Sequence, residues 1–112
     1  MTTASSPEWL IQVPVLPGTV EKRIQLRSQH YADAKSLIES GFITFAGGIL
    51  ENPTTDGDNK DMTVTLFTVS VPTREEAKAI LERDVYTKEG IWDVSKAEIF
   101  PFKTGIRAAM SK

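Results

Sequence analysis

Residues 20–50 read VEKRIQLRSQHYADAKSLIESGFITFAGGIL, and the change of pattern at Gly41 decides the fold. Between Val20 and Ser40 the spacing is helical. Counting from His30, residues Ala34, Leu37 and Ile38 fall at i+4, i+7 and i+8, which puts the only histidine of the chain on the apolar face of an amphipathic helix. Gly41 stands where helices end, because glycine takes the left-handed terminal conformation without steric cost. Beyond it, Phe42–Leu50 reads as a strand.

Working outward, Trp9–Val15 reads as an earlier strand, closed by the turn Leu16-Pro17-Gly18-Thr19. On the other side the polar run Glu51–Asp61, with Asn52-Pro53 and Asp56-Gly57, is a loop that closes a long hairpin onto a third strand, Met62–Val71. After Pro72, Thr73 and Glu76 form a T-x-x-E capping pattern, so a second helix is expected from there to Arg83. A last strand is expected over Ser95–Phe102.

The order strand, helix, strand, strand, helix, strand predicts an α+β, ferredoxin-like βαββαβ fold: a four-stranded antiparallel sheet with both helices on one face. The uncovered face is not polar. Leu10 lies opposite Trp9, Ile11, Val13 and Val15, and Val64 and Leu66 lie opposite Phe67, Val69 and Val71. A homodimer through the sheet faces is therefore expected.

The chain has 112 residues, the length of one domain, with a core over about residues 8–104 between short polar tails. Its 13 Lys and Arg against 15 Asp and Glu give no basic excess, which argues against a nucleic-acid partner. The absence of cysteine excludes disulfides, thiolate zinc sites, iron–sulfur clusters and thiol nucleophiles. No stretch approaches the roughly 20 apolar residues of a membrane span, and residues 1–7 lack a signal-peptide pattern. No membrane partner is expected, and a cytoplasmic location fits.

Candidate chemistry centres on His30. A buried imidazole needs hydrogen-bond partners, and imidazole is the side chain whose unperturbed pKa, about 6.5, lies nearest working pH. It is either a satisfied core residue or an acid/base group. Arg27, one turn earlier on the same helix, is either an anion binder or half of a surface ion pair. Tyr31, Tyr86 and Trp92 are either stacking surfaces for a planar substrate or plain core. Asp84 lies just past the helix that begins at Thr73, at the unfavourable end of its dipole, and needs a cation or hydrogen bond there if it is not solvated.

Other patterns are weaker. Asp56, Asp58, Asn59 and Asp61 suggest a calcium loop, but Lys60 occupies a ligand position, so a solvated loop is expected. One histidine and no cysteine give no transition-metal site. Ala46-Gly47-Gly48 lacks the strand–turn–helix setting of a phosphate cradle; its glycines let the strand bend or a ligand approach. No nucleophile elbow is present.

The run Lys22-Arg23 through Arg27 to His30, then Gly41, Ala46-Gly47, Asp84-Val85-Tyr86, Gly90 and Pro101-Phe102-Lys103, resembles the YciI-like (YCII-related) family of dimeric α+β barrel proteins. Ser28 and Val85 stand where that family often has proline, and the segment between Gly90 and Pro101 is longer. The resemblance implies a pocket between helices and sheet that holds a paired His and Asp, here His30 and Asp84, as acid/base residues. Its relatives include a dehydrochlorinase of chlorinated hydroxyquinols. The expected activity is lyase or isomerase proton transfer on a small cyclic or aromatic molecule, such as dehydration, dehydrohalogenation or keto–enol isomerisation. No metal or organic cofactor is expected. Arg27, Tyr31, Tyr86 and Trp92 are the expected substrate-binding residues. The alternative is a non-catalytic ligand-binding or accessory protein; a cofactor-free oxygenase rests on fold analogy alone.

Overall fold

The structure, a computed structural model, describes residues 6–54, 57 and 60–108. Its elements are β1 (Glu8–Pro14), α1 (Val20–Glu39), β2 (Ile43–Leu50), β3 (Met62–Ser70), α2 (Arg74–Arg83), α3 (Val85–Lys88), a 3-10 turn (Val94–Lys96) and β4 (Glu98–Phe102). The strands form one antiparallel sheet in the order β2-β3-β1-β4. The fold is thus the expected ferredoxin-like α+β arrangement, with one short helix and one 3-10 turn inserted before β4.

Local chemistry explains the element ends. Gly41 has φ 82°, in the left-handed region. Its N–H donates to Ile38 O at 3.0 Å while the N–H of Phe42 donates to Leu37 O at 2.9 Å, a Schellman closure of α1. Thr73 caps α2 by accepting from the Glu76 N–H at 3.2 Å. The Glu76 carboxylate accepts from the Thr73 hydroxyl at 3.1 Å, so its partner is the cap's hydroxyl instead of a free backbone donor. At the base of the β2–β3 hairpin, the Glu51 N–H donates to Asp61 O at 3.2 Å and Asn52 Nδ2 donates to Asp61 Oδ2 at 3.1 Å. Asp56, Asp58 and Asn59 of the expected solvated loop lie outside the described residues, as do residues 1–5 and 109–112 of the tails.

Directly opposed residues on antiparallel strands share a face. Ile11 opposes Phe67 and Trp9 opposes Val69, and these meet the helices. There they build a core with Val13, Ala77, Ile80, Leu81 and Ile91. Leu10 opposes Thr68 and Phe100 on the other face, which also carries Phe45 and Ile49, exposed, with Phe102 at its edge. Thr68 is buried even on this side, where its hydroxyl hydrogen-bonds that of Thr44 at 2.8 Å. Glu8, on the same face, accepts from the Thr104 hydroxyl at 2.6 Å and from its N–H at 3.0 Å, which tethers the chain beyond β4. These bonds hold the Glu8 carboxyl below its ordinary range.

Two expectations are corrected. Ile38 is 55% exposed, because it lies about 100° around α1 from Leu37, which is half-buried. The buried residue of α1 is Arg23, 5% exposed. The last strand begins at Glu98 instead of Ser95, because the Ser95 hydroxyl turns back to Asp93 Oδ1 at 2.6 Å and 94–96 form the 3-10 turn.

Candidate active site

His30 and Asp84 meet. The imidazole Nδ1 lies 2.8 Å from Asp84 Oδ1, with side chains 17% and 16% exposed. An ionised carboxylate only accepts, so this contact assigns the proton of the neutral imidazole to Nδ1 and leaves the lone pair on Nε2. Asp84 reaches this position because it both ends α2 and begins α3. Its N–H donates to Leu81 O at 3.3 Å, its backbone is extended (φ −67°, ψ 143°), and its Oδ1 accepts from the Tyr86 N–H at 2.9 Å. Asp84 follows the C-terminal end of α2 and finds there the hydrogen bonds expected of it, and its carboxylate is also the N-cap of α3, where a negative charge is favourable.

Tyr86 supports the imidazole from one side. The two rings stack with centroids 4.0 Å apart and planes 7° from parallel. The Tyr86 hydroxyl donates to Arg23 O at 3.1 Å, and burial pushes its phenol above the ordinary value, which keeps it a donor. Trp92 stands edge-on to both rings, at 5.7 Å from His30 and 5.5 Å from Tyr86, and its Nε1 donates to Thr65 Oγ1 at 3.2 Å. Of the aromatic residues singled out from the sequence, Tyr86 and Trp92 are buried and pack on His30 itself. Tyr31 is 59% exposed and lies at the rim, its ring 5.7 Å from the imidazole.

These groups border a cavity of about 300 Å³ between α1 and the sheet. Arg23, Arg27, His30 and Tyr31 line it from α1, Ala46, Gly47 and Gly48 from β2, and Met62 and Thr65 from β3. A Cβ at Gly48 would lie 2.7 Å from Met62 Cε, so a side chain there would displace the flexible Met62 thioether that lines the cavity. The size suits a single-ring ligand. All six residues expected at the site line the cavity or, for Asp84, hold the His30 that lines it. Arg23, Met62 and Thr65 were not expected. Arg23 was legible in principle: it precedes Arg27 by four positions and His30 by seven, the spacing of one helix face. Among the described residues no group of three or more His, Cys, Asp or Glu is placed to hold a metal ion, and no helix is long and apolar enough to cross a membrane.

With its βαββαβ order and open apolar sheet face, the structure is similar to the dimeric α+β barrel proteins. Residues 8–103 match the YCII-related domain, and the chain belongs to that family. It is similar to fusaric acid biosynthesis protein 2 of Gibberella fujikuroi, with 34% identity over 97 residues, 87% of this chain and 93% of the relative. Aspercryptin biosynthesis cluster protein B of Emericella nidulans is 29% identical over 110 residues, 97% of this chain and 70% of that one. Among solved structures, 5-chloro-2-hydroxyhydroquinone dehydrochlorinase from Burkholderia phenoliruptrix AC1100, in complex with 2,5-dihydroxybenzoquinone, superimposes with a TM-score of 0.74 at 26% identity. That match covers 88% of this chain and 95% of the dehydrochlorinase.

Proposed function

We propose that the protein is a small acid/base enzyme of secondary metabolism that moves protons on a cyclic, quinol-like or enolic metabolite, with elimination or keto–enol isomerisation as the net reaction. The observation that carries this reading is the Nδ1–Oδ1 hydrogen bond of 2.8 Å at the wall of a ring-sized cavity. His30 Nε2 takes a proton from a ring hydroxyl or an acidic C–H, and Asp84 stabilises the imidazolium that forms. From a ring hydroxyl, the O–H pair becomes a carbonyl and the imidazolium returns the proton to a ring carbon, which gives the keto tautomer; loss of a second hydroxyl proton to His30 then moves an electron pair through the ring and expels a leaving group from that carbon. On a chlorinated hydroxyquinol the balance is loss of H⁺ and Cl⁻, leaving a hydroxyquinone. Arg27 holds the oxygen on which charge develops. Tyr86 acts as a positioning residue, with Trp92 and Tyr31 as wall and rim. The biosynthetic settings in the names of the fungal relatives, and the dehydrochlorinase among similar structures, support this reading.

The test uses the one histidine as a reporter. Titration with 2,5-dihydroxybenzoquinone is expected to shift the His30 imidazole NMR signals at saturation, and incubation with 5-chloro-2-hydroxyhydroquinone to release chloride above the buffer rate. Saturable binding without chloride release or ring proton–deuterium exchange would instead favour the non-catalytic ligand-binding reading, and oxygen uptake the oxygenase.

The same proposal includes a homodimer through the open sheet faces, because Phe45, Ile49, Phe100 and Phe102 leave an apolar surface uncovered. Sedimentation is expected to give twice the chain mass for the native protein and the single mass for Phe100→Glu. A monomeric native protein at micromolar concentration would overturn this.

A further inference from the structure

We propose that Met62 is the specificity-determining residue of the cavity, its thioether setting how large a substituent a ring can carry on the edge turned to the sheet; this rests on the ring-binding reading above and adds which rings are excluded.

Met62 reaches the cavity only because β3 departs from regular pairing. Thr65 opposes Val13 of the core and so faces the helices. Alternation along a regular strand would turn Met62, three positions away, to the opposite face. The register shifts instead: Ile49 pairs with Val64 and Leu50 with Met62, so β3 carries one extra residue, Thr63, against β2. Such a bulge re-aims a side chain, and here it brings Met62 to the helix side, where it lines the cavity with Thr65.

Two contacts then hold the thioether in place. It fills the space that a side chain at Gly48 would take, since a Cβ there would meet Met62 Cε, Sδ and Cγ at 2.7, 2.9 and 3.0 Å. Thr65 fixes the sulfur. Its hydroxyl accepts from Trp92 Nε1 at 3.2 Å, which leaves its own proton to donate to Met62 Sδ at 3.6 Å. Trp92 stands edge-on to the His30 ring, so the place of the sulfur is tied to that of the imidazole.

The cavity is therefore divided in chemistry. Arg27 and His30 face it from α1, whereas Met62 and Thr65 offer a ring no donor, the Thr65 proton being committed to sulfur. A polarisable thioether suits a ring edge that carries hydrogen. A branched carbon group in place of that hydrogen would overlap it.

The test is calorimetric binding of two rings that differ at one position: 2,5-dihydroxybenzoquinone and the same ring with a 3-isopropyl group. The native protein is expected to bind the bare ring at least about tenfold tighter. Met62→Ala removes Cγ, Sδ and Cε, as many heavy atoms as the isopropyl group adds, and should bring the two rings within about threefold of each other. Gly48→Ala supplies an independent arm. The Gly48 backbone lies outside the left-handed region, so the fold tolerates alanine, and the new Cβ pushes the thioether off the sheet into the cavity. Bare-ring affinity should then fall about tenfold, and Met62→Ala added to Gly48→Ala should restore it, a coupling that independent structural effects would not give. If Met62→Ala does not fold, Gly48→Ala alone decides. Equal binding of both rings by the native protein, an undiminished preference in Met62→Ala, or native bare-ring affinity in Gly48→Ala would overturn the inference while leaving the ring site intact. Binding of neither ring to the native protein would overturn both the inference and the reading beneath it.

Discussion

In His30→Ala, chloride release or ring proton exchange falls about 10²–10⁴-fold, the range that a single general acid/base contributes, while the Kd for the ring changes by no more than about threefold. The split between rate and affinity follows from the geometry. The imidazole holds Asp84 through Nδ1, which leaves Nε2 as its basic atom, and the residue proposed to hold the ring oxygen, Arg27, is a separate side chain one turn away. Truncation removes the base and leaves the grip. Because it also leaves the Asp84 carboxylate without its imidazole, His30→Gln is the companion variant, with an amide that can still donate to Asp84. Both variants are expected to lose turnover alike, and free imidazole added to His30→Ala to restore part of it. Equal loss of rate and affinity in both would mean that the histidine binds the ligand and does not transfer its proton.

Asp84→Asn separates two duties of one carboxylate. Asparagine caps helices as well as aspartate does, so its carbonyl oxygen can still accept from the Tyr86 N–H, and stability is expected to stay within about 0.5 kcal/mol. The amide cannot offset the charge of an imidazolium, and a hydrogen bond to a charged group contributes about 1.5–3 kcal/mol, so turnover is expected to fall about 10–100-fold. Asp84→Ala loses both duties: the same or greater loss of rate, and about 1 kcal/mol of stability from the missing cap, visible as a melting point lower by several degrees. Thermal melts and rates measured on the same three proteins check this. Asp84→Asn with native turnover would confine the residue to capping.

Much of the architecture was legible because it rests on short-range rules. Gly41 closes α1 and Thr73 opens α2 through contacts within a few residues, which pattern reading captures. The apolar residues on both faces of β1 and β3 likewise announced a sheet with an uncovered apolar side. What periodicity does not carry depends on through-space contacts. Asp84 and His30 are 54 positions apart, and no periodicity links them; the family resemblance brought them together. The α3 helix has four residues, a single turn whose Val85 and Tyr86 read as strand-formers, and it is opened by the Asp84 side chain. Arg23 was overlooked because a charge on a helix is ordinarily solvated, whereas here the helix phase turns it to the sheet.

Asp84 is needed by the fold as well as by the proposed chemistry, since it joins two helices whether or not a proton ever moves. Drift among descendants of this chain would therefore act unequally on the pair. A copy that abandoned catalysis would still be selected to retain a capping side chain, Asp or Asn, at this junction between helices. The His30 side chain caps no helix and bonds to no backbone group among the described residues, so it is the position at which such a copy would first betray its change of trade.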